Sequence, residues 1–258
     1  MLDISAIPAF RDNYIWAVRD LHRDPSATVL VDPGEPGAIL TWLASQQARP
    51  LAILVTHHHG DHTGALAALG ERWRVPVYGP RRERIAGVTH PVGEGDEVEL
   101  PELGLRLAVM ETPGHTLGHV CYVGDGLAFT GDTLFSCGCG RLFEGTAAQM
   151  HESLRRLAAL PEDTRVYCAH EYTLPNIGFA LEVEPDNPAL LARHEAARQA
   201  RKAGLPTLPS TIGQERAANP FLRCHLPAVQ VAISQHQGLS VNGAMEAFAA
   251  LRRWKDDY

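Results

Sequence analysis

Apolar residues recur along this chain at two spacings, and the balance between the two changes near residue 174. Before that point, short apolar runs rich in β-branched and aromatic residues fall at 28–31, 51–55, 75–78, 105–110, 120–123 and 127–129. Runs this short, bounded by Gly, Pro or charged residues, predict strands. Between them, residues 37–47, 64–73 and 147–160 repeat apolar positions at helical spacing, and Pro161 punctuates the last. Gly124-Asp125-Gly126 predicts a tight hairpin turn. Strands with interspersed helices predict a layered α/β or α+β arrangement for residues 1–173.

Beyond 174 the strand pattern gives way to helices and loops. Asp186-Asn-Pro188 offers a cap followed by Pro in the first turn, for a helix through Arg201 that ends at Gly204. Residues 205–209 read as a linker and 210–216 as one short helix. Ser240 is expected to cap a helix over 241–255, with Val241, Met245, Phe248 and Leu251 on one face. Residues 174–258 therefore read as a small helical domain.

A chain of 258 residues can bury one large core, or a core and a small second domain. No run approaches the roughly 18 apolar residues that span a bilayer. The start, Met1-Leu-Asp-Ile-Ser, lacks a basic segment followed by an apolar one, so no secretory signal is expected. Cys121, Cys137, Cys139, Cys168 and Cys224 form an odd, sparse set, which points to a reducing, cytoplasmic home. Cys137-Gly-Cys139 lacks the usual Cys-x-x-Cys spacing and reads as structural or incidental thiols rather than a metal or redox pair. The net charge of −7 argues against a nucleic-acid partner. Nothing in the chain calls for an obligate protein partner, and a monomer is expected.

The chemistry concentrates in Thr56-His57-His58-His59-Gly60-Asp61-His62, directly after the 51–55 run. Imidazole and carboxylate together suit a divalent transition metal. His57 and His59 follow at period two, so in extended chain they project to the same side and His58 points away. Gly60 lets the chain turn, so Asp61 and His62 can approach from another direction. Three further segments place His115, Asp132 and His170 just past short strands, where sites are commonly built. Four or so bonds per metal make seven or eight for a pair. His57, His59 and His115 fill one metal, and Asp61, His62 and His170 fill the other. Asp132 can bridge them with its two oxygens. His119, like His58, is expected to support ligands rather than bind metal. Asp12 and Asn13 are expected to brace a turn.

This ligand set resembles that of the metallo-β-lactamase superfamily over the first two-thirds of the chain. More narrowly, the sequence is similar to the glyoxalase II (hydroxyacylglutathione hydrolase) family. The carriers are Ile7-Pro-Ala-Phe-Arg-Asp-Asn-Tyr-Ile-Trp16, Gly131-Asp-Thr-Leu-Phe135, Gly138-Cys-Gly-Arg-Leu-Phe-Glu-Gly-Thr146 and Ala169-His-Glu-Tyr-Thr173. Asn219-Pro-Phe-Leu-Arg223 and Arg252-Arg-Trp-Lys-Asp256 extend it to the end. The resemblance implies an αββα sandwich followed by a helical C-terminal domain. It implies hydrolysis of S-D-lactoylglutathione and related S-2-hydroxyacylglutathiones to the hydroxy acid and glutathione, the second step of methylglyoxal detoxification. By motif position it also implies that Arg141, Tyr172, Arg252 and Lys255 clamp the glutathione part. Some family members have Tyr where this chain has Phe143, so one hydroxyl contact is lost.

Two divalent ions, zinc before iron or manganese, can lower the pKa of a shared water toward neutrality. In the expected mechanism Asp132 holds the ions about 3.5 Å apart and Asp61 orients the bridging hydroxide. A thiolate leaving group, with a conjugate pKa of roughly 8.5, departs without a dedicated acid. Residues 1–173 carry a net −8 and residues 174–258 a net +1, so the tail can receive an anionic substrate, although ordinary surface variation gives the same counts. A mononuclear-iron persulfide dioxygenase is the main competing reading. It needs neither the second-metal set nor the terminal cations. A lactamase or nuclease of the same superfamily, and a non-catalytic metal module, complete the alternatives.

Overall fold

The computed structural model describes residues 2–238 and 240–258. They form two compact units, one of residues up to 111 with 117–131, the other of 112–116 with 132–258. The first unit runs β1 (Leu2–Ala9), β2 (Asn13–Asp20), β3 (Asp24–Val31), α1 (Pro36–Ser45), β4 (Arg49–Leu54), α2 (Gly60–Thr63), α3 (Leu66–Arg72), β5 (Val77–Pro80), β6 (His90–Val92), β7 (Glu97–Leu100), β8 (Leu105–Glu111), β9 (Val120–Gly124) and β10 (Leu127–Gly131).

Strands β1 to β6 lie side by side in sequence order. The first three pair antiparallel and the rest parallel. Helices α1 and α3 are the crossovers that parallel pairing requires. Ile39 and Leu43 of α1 and Leu66 and Leu69 of α3 pack with Ile15, Leu30 and Ile53 of the sheet in one apolar core. Strands β7 to β10 form an antiparallel meander. Asp125 and Gly126 make its last turn with two successive positive φ angles, 50° and 73°, the twist a tight hairpin needs. The two sheets are tied where β4 ends. Val120 N donates to the Thr56 carbonyl at 2.9 Å, and the buried Tyr122 hydroxyl donates to the Val55 carbonyl at 2.9 Å.

The second unit contains β11 (Leu134–Phe135), β12 (Gly138–Cys139), α4 (Ala147–Ala158), β13 (Arg165–Cys168), α5 (Thr173–Val183), α6 (Pro188–Lys202), β14 (Ser210–Thr211), α7 (Ile212–Ala218), a 3₁₀ turn (Pro220–Leu222), α8 (Pro227–Gln237) and α9 (Ala244–Asp257). Thr146 with Gln149, and Thr211 with Gln214, close capping boxes on α4 and α7. Asn187 caps α6 by accepting from the backbone of Ala189 and Leu190. Phe179, Phe221, Phe248 and Trp254 meet ring to ring and join α5, α9 and the 3₁₀ turn. No helix among the described residues is long and apolar enough to cross a membrane.

The sequence pattern and the structure part in a few places. The last helix starts at Ala244, not 241, and Gly243, at φ 91°, holds its N-cap position. Ser240 and Val241 lie outside it, and Met245 faces solvent. A glycine in a left-handed conformation breaks the helix that the apolar spacing alone would extend. Ser210 and Thr211 form a strand edge before α7 begins.

Tyr122→Phe removes the hydroxyl that fixes the end of β4. The variant should lose about 1 to 2 kcal/mol of unfolding free energy in urea titrations. An unchanged midpoint would mean that the bond adds nothing to the joint between the sheets.

Candidate metal centre

In the first unit the donors are organised by one residue outside the His-rich stretch. Asp32, buried at the end of β3 with φ 53°, accepts from Thr56 N and Thr56 Oγ1, both at 2.8 Å. The Thr56 proton is thereby committed, so Thr56 Oγ1 can only accept from His57 Nδ1, 3.1 Å away. Asp32 Oδ2 also lies 3.0 Å from His62 Nδ1. Both imidazoles are left with Nδ1 protonated and Nε2 as a lone pair, the form that ligates metal.

His57 Nε2 faces His59 Nδ1 at 2.9 Å, and His62 Nε2 faces Asp61 Oδ2 at 3.5 Å. The turn that reverses direction is the helical turn α2, which Gly60 enters without a left-handed φ. Gly34 is the glycine this loop requires, because a Cβ there would collide with the Asp61 carbonyl. Asn13 Nδ2 donates to Asp61 Oδ2 at 2.9 Å, so Asn13 reaches a donor instead of only bracing its own turn. His119 is buried and stacks on His57, with ring centroids 4.9 Å apart. The His58 ring lies edge-on to His59.

The second unit carries the other donors. His115 Nδ1 lies 2.8 Å from the Arg141 carbonyl, which can only accept, so Nδ1 carries the proton. Its Nε2 lone pair faces Asp132 Oδ2 at 3.4 Å. His170 Nε2 faces the other oxygen, Oδ1, at 3.3 Å. Two acceptors this close repel unless a proton or a cation lies between them. Neighbouring ligands on a tetrahedral ion with bonds near 2.0–2.1 Å stand roughly 3.3 Å apart. The His115–Asp132 and His170–Asp132 spacings match that figure. Each oxygen of one carboxylate thus serves a different imidazole, which is the arrangement of a bridging ligand.

Asp132 lies in the turn that leads into the tightly gripped strand pair β11–β12. Gly140 lies so close that a Cβ would strike the Asp132 carbonyl. At the turn of the pair, Cys137 adopts φ 55° and its N–H donates to Glu215 Oε2 at 2.8 Å. Asn219 Nδ2 donates to the carbonyls of Phe135 and Gly138, at 3.2 and 2.9 Å. Asn176 Nδ2 donates to the Ser136 carbonyl and Arg193 to the Ser136 hydroxyl. Helices α5, α6 and α7 therefore fix the segment that follows Asp132. Burial pushes the Glu215 carboxyl above its usual range, against the pull of Ser210, Cys137, Asn219 and the charge of Arg193.

The remaining candidates also lie in this unit. Tyr172 stacks on His170, with ring centroids 4.6 Å apart and planes 6° from parallel. Arg141 Nε and Arg252 Nη2 share Asp256 Oδ1, at 3.3 and 3.1 Å. The Arg141 side chain is exposed, whereas Arg252 is 5% exposed and also donates to the Cys139 carbonyl. Lys255 Nζ lies 5.0 Å from the centroids of Phe179 and Tyr258. Burial, and then Arg252, lower its pKa. Phe143 is exposed and edge-on to His115. All five cysteines are free and buried. Burial raises the thiols of Cys137, Cys139, Cys168 and Cys224, with Cys168 reaching about 12.

Sequence reasoning missed Asp32, the link from Asn13 to Asp61, and the grip of Glu215, Asn176 and Arg193. Asn13 lies in one of the motifs that carry the resemblance, and Asn219, which shares this grip, lies in another.

Residues 10–170 match the family model described as the metallo-beta-lactamase superfamily, and residues 171–258 the one described as the hydroxyacylglutathione hydrolase C-terminus. The chain is 54% identical over 256 residues to a protein of Alkalilimnicola ehrlichii named hydroxyacylglutathione hydrolase, covering 99% of each chain. Among solved structures it is similar to ETHE1 from Myxococcus xanthus, with TM-score 0.66, 26% identity and coverage of 98% of this chain and 90% of that one. It is also similar to TTHA1623, solved in a di-iron-bound form, with TM-score 0.58, 26% identity and coverage of 85% of this chain and 100% of that one. The fold is the α/β metallo-β-lactamase fold with a helical C-terminal domain, as the sequence implied. Its His and Asp donors are those of a divalent-metal protein.

Asp32→Asn replaces an acceptor-only group with one that also donates toward Thr56 and His62. The variant should stay folded by circular dichroism and bind zinc about ten- to a hundredfold more weakly in chelator competition. Unchanged affinity would remove Asp32 from the account of the site.

The Glu215 shift has a pH signature. A raised folded-state pKa means that the folded chain holds this proton more tightly than the unfolded chain. Its contribution is most favourable below the ordinary value of 4.5 and is lost as pH rises toward the raised value. The stability of the wild type minus that of Glu215→Gln, from urea titrations at stepped pH, should therefore fall as pH rises above 4.5. A difference that is flat with pH would contradict a buried, titrating Glu215.

Proposed function

This chain belongs to the hydroxyacylglutathione hydrolase family of the metallo-β-lactamase superfamily, and from that membership we propose that it converts S-D-lactoylglutathione to D-lactate and glutathione, the second step of methylglyoxal detoxification. It is a thioester hydrolase. The observation that carries the reading is the aim of two imidazole nitrogens, His115 Nε2 and His170 Nε2, at the two separate oxygens of Asp132.

We assign His57, His59 and His115 to one divalent ion, Asp61, His62 and His170 to a second, and Asp132 to both. Zinc is the first assignment. Iron is the second, supported by the di-iron form of TTHA1623, and manganese the third. When bound, the ions supply Lewis acidity toward the thioester carbonyl and bring the pKa of a water toward neutrality. Asp61, steadied by Asn13, accepts a hydrogen bond from the attacking water and orients it. Asp132 holds the donors of its unit at ligand spacing. The departing glutathione thiolate needs no acid, because its conjugate thiol has a pKa of roughly 8.5.

Arg141, Tyr172, Arg252 and Lys255 receive the glutathione part, with the cations matched to its carboxylates. Phe143 offers an exposed ring edge where a hydroxyl would otherwise serve. Residues 1–173 carry the metal donors, and residues 174–258 supply Arg252 and Lys255. Each chain holds the full donor count, which supports a monomer as the working unit. The five unpaired cysteines support a cytoplasmic location.

Zinc-loaded protein should hydrolyse S-D-lactoylglutathione, followed as loss of thioester absorbance, and chelation should abolish the activity. Asp132→Asn should lower kcat by about a hundredfold or more. Lys255→Ala should raise KM about tenfold with kcat nearly unchanged. Turnover no faster than that of zinc alone would sink the assignment. Oxygen uptake with glutathione persulfide exceeding thioester turnover would move it to the dioxygenase reading.

A further inference from the structure

A concave site lies wholly within the second unit and shares no residue with the metal donors or with the proposed glutathione clamp. It is a cavity of about 640 Å³ between α4, α7, the 3₁₀ turn and the segment leading into α8. That volume falls within the range of small-molecule sites. Its floor is apolar, built from part-exposed Ala158, Ala217, Leu222 and Leu226 over the buried ring of Phe221. Its polar lining is lopsided in charge. Arg155, Arg216 and Arg223 stand against a single lining carboxylate, Glu162.

The three guanidinium groups are not equivalent. Arg223 is spent. Its Nε and Nη2 make a bidentate pair with Glu184 at 2.8 and 2.9 Å, and Nη1 donates to the Arg216 carbonyl. Arg155 pairs with Glu152 one helical turn away, both side chains more than half exposed. Such an exposed pair contributes little and exchanges readily for another anion. The Arg216 guanidinium has no hydrogen-bond or ion-pair partner among the described residues. His151, whose pKa is lowered chiefly by burial, adds no charge at neutral pH.

An unpaired planar cation and a weakly engaged one, set over an apolar floor, select for a ligand with two ends. We propose that this cavity binds a small amphipathic carboxylate, its apolar body on Ala158, Leu222 and Leu226 and its carboxylate on Arg216 and Arg155. A guanidinium fork matches carboxylate geometry. A purely polar anion leaves the floor wet, and a neutral amphiphile leaves Arg216 unsatisfied.

The test is calorimetric titration of zinc-loaded, full-length protein with octanoate, 1-octanol and inorganic phosphate in turn. Octanoate should bind saturably, with the other two at least about tenfold weaker. Arg216→Gln, a change at an exposed side chain, should weaken octanoate about tenfold. Glutathione at saturating concentration should not displace it. The proposal is overturned if octanoate gives no saturable binding, if octanol or phosphate binds as well, or if Arg216→Gln binds like the wild type. Competition by glutathione also overturns it, because it would place octanoate in the hydrolytic site.

Discussion

The carboxylate of Asp32 settles which nitrogen of each neighbouring imidazole is free to ligate. One buried anion takes both protons of Thr56, and through that hydroxyl it fixes the tautomer of His57. Its own Oδ2 faces His62. Two histidines separated by a turn of helix thus present the same nitrogen because they answer to the same acceptor. A histidine-rich stretch without this anchor would sample both tautomers and several ring orientations, and metal binding would have to supply the missing order. Asp32 closes β3 by donating its N–H to Leu54, beside the strand that delivers Thr56.

The second unit solves the same problem with different means. Asp132 aims its two oxygens at separate imidazoles from the turn that enters β11–β12, a two-residue strand pair with little stability of its own. Side chains from three helices supply the missing rigidity through backbone carbonyls, one N–H and the Ser136 hydroxyl, with Glu215 buried at the centre. The helical segment therefore braces the loop that follows Asp132.

The donors proposed as ligands stand out in sequence because their type and spacing are improbable as packing. His57 and His59 stand at strand period, and His115, Asp132 and His170 each follow an apolar run. What organises them was not legible. Asp32 precedes Pro33-Gly34 and looks like an ordinary turn residue, 24 positions from Thr56. Asn13 reaches Asp61 across 48 positions. Glu215 reads as one charge on a short amphipathic helix, and only the packed structure shows its burial. Helix α5 was hidden by Pro175 and Gly178, and α8 by its weak apolar periodicity. In both, packing outweighs local preference.

The burial of the cysteines has a bearing on the company this protein keeps. Hydrolysis of a glutathione thioester liberates a thiol at the protein's own surface, turnover after turnover. Exchange with a thiol or its disulfide needs an accessible thiolate on the protein. None of the five sulfurs is exposed, and four have their ionisation suppressed by burial. The fold therefore makes its catalyst chemically deaf to its own product. It can work in a pool of glutathione, reduced or oxidised, without being drawn into that pool's redox traffic.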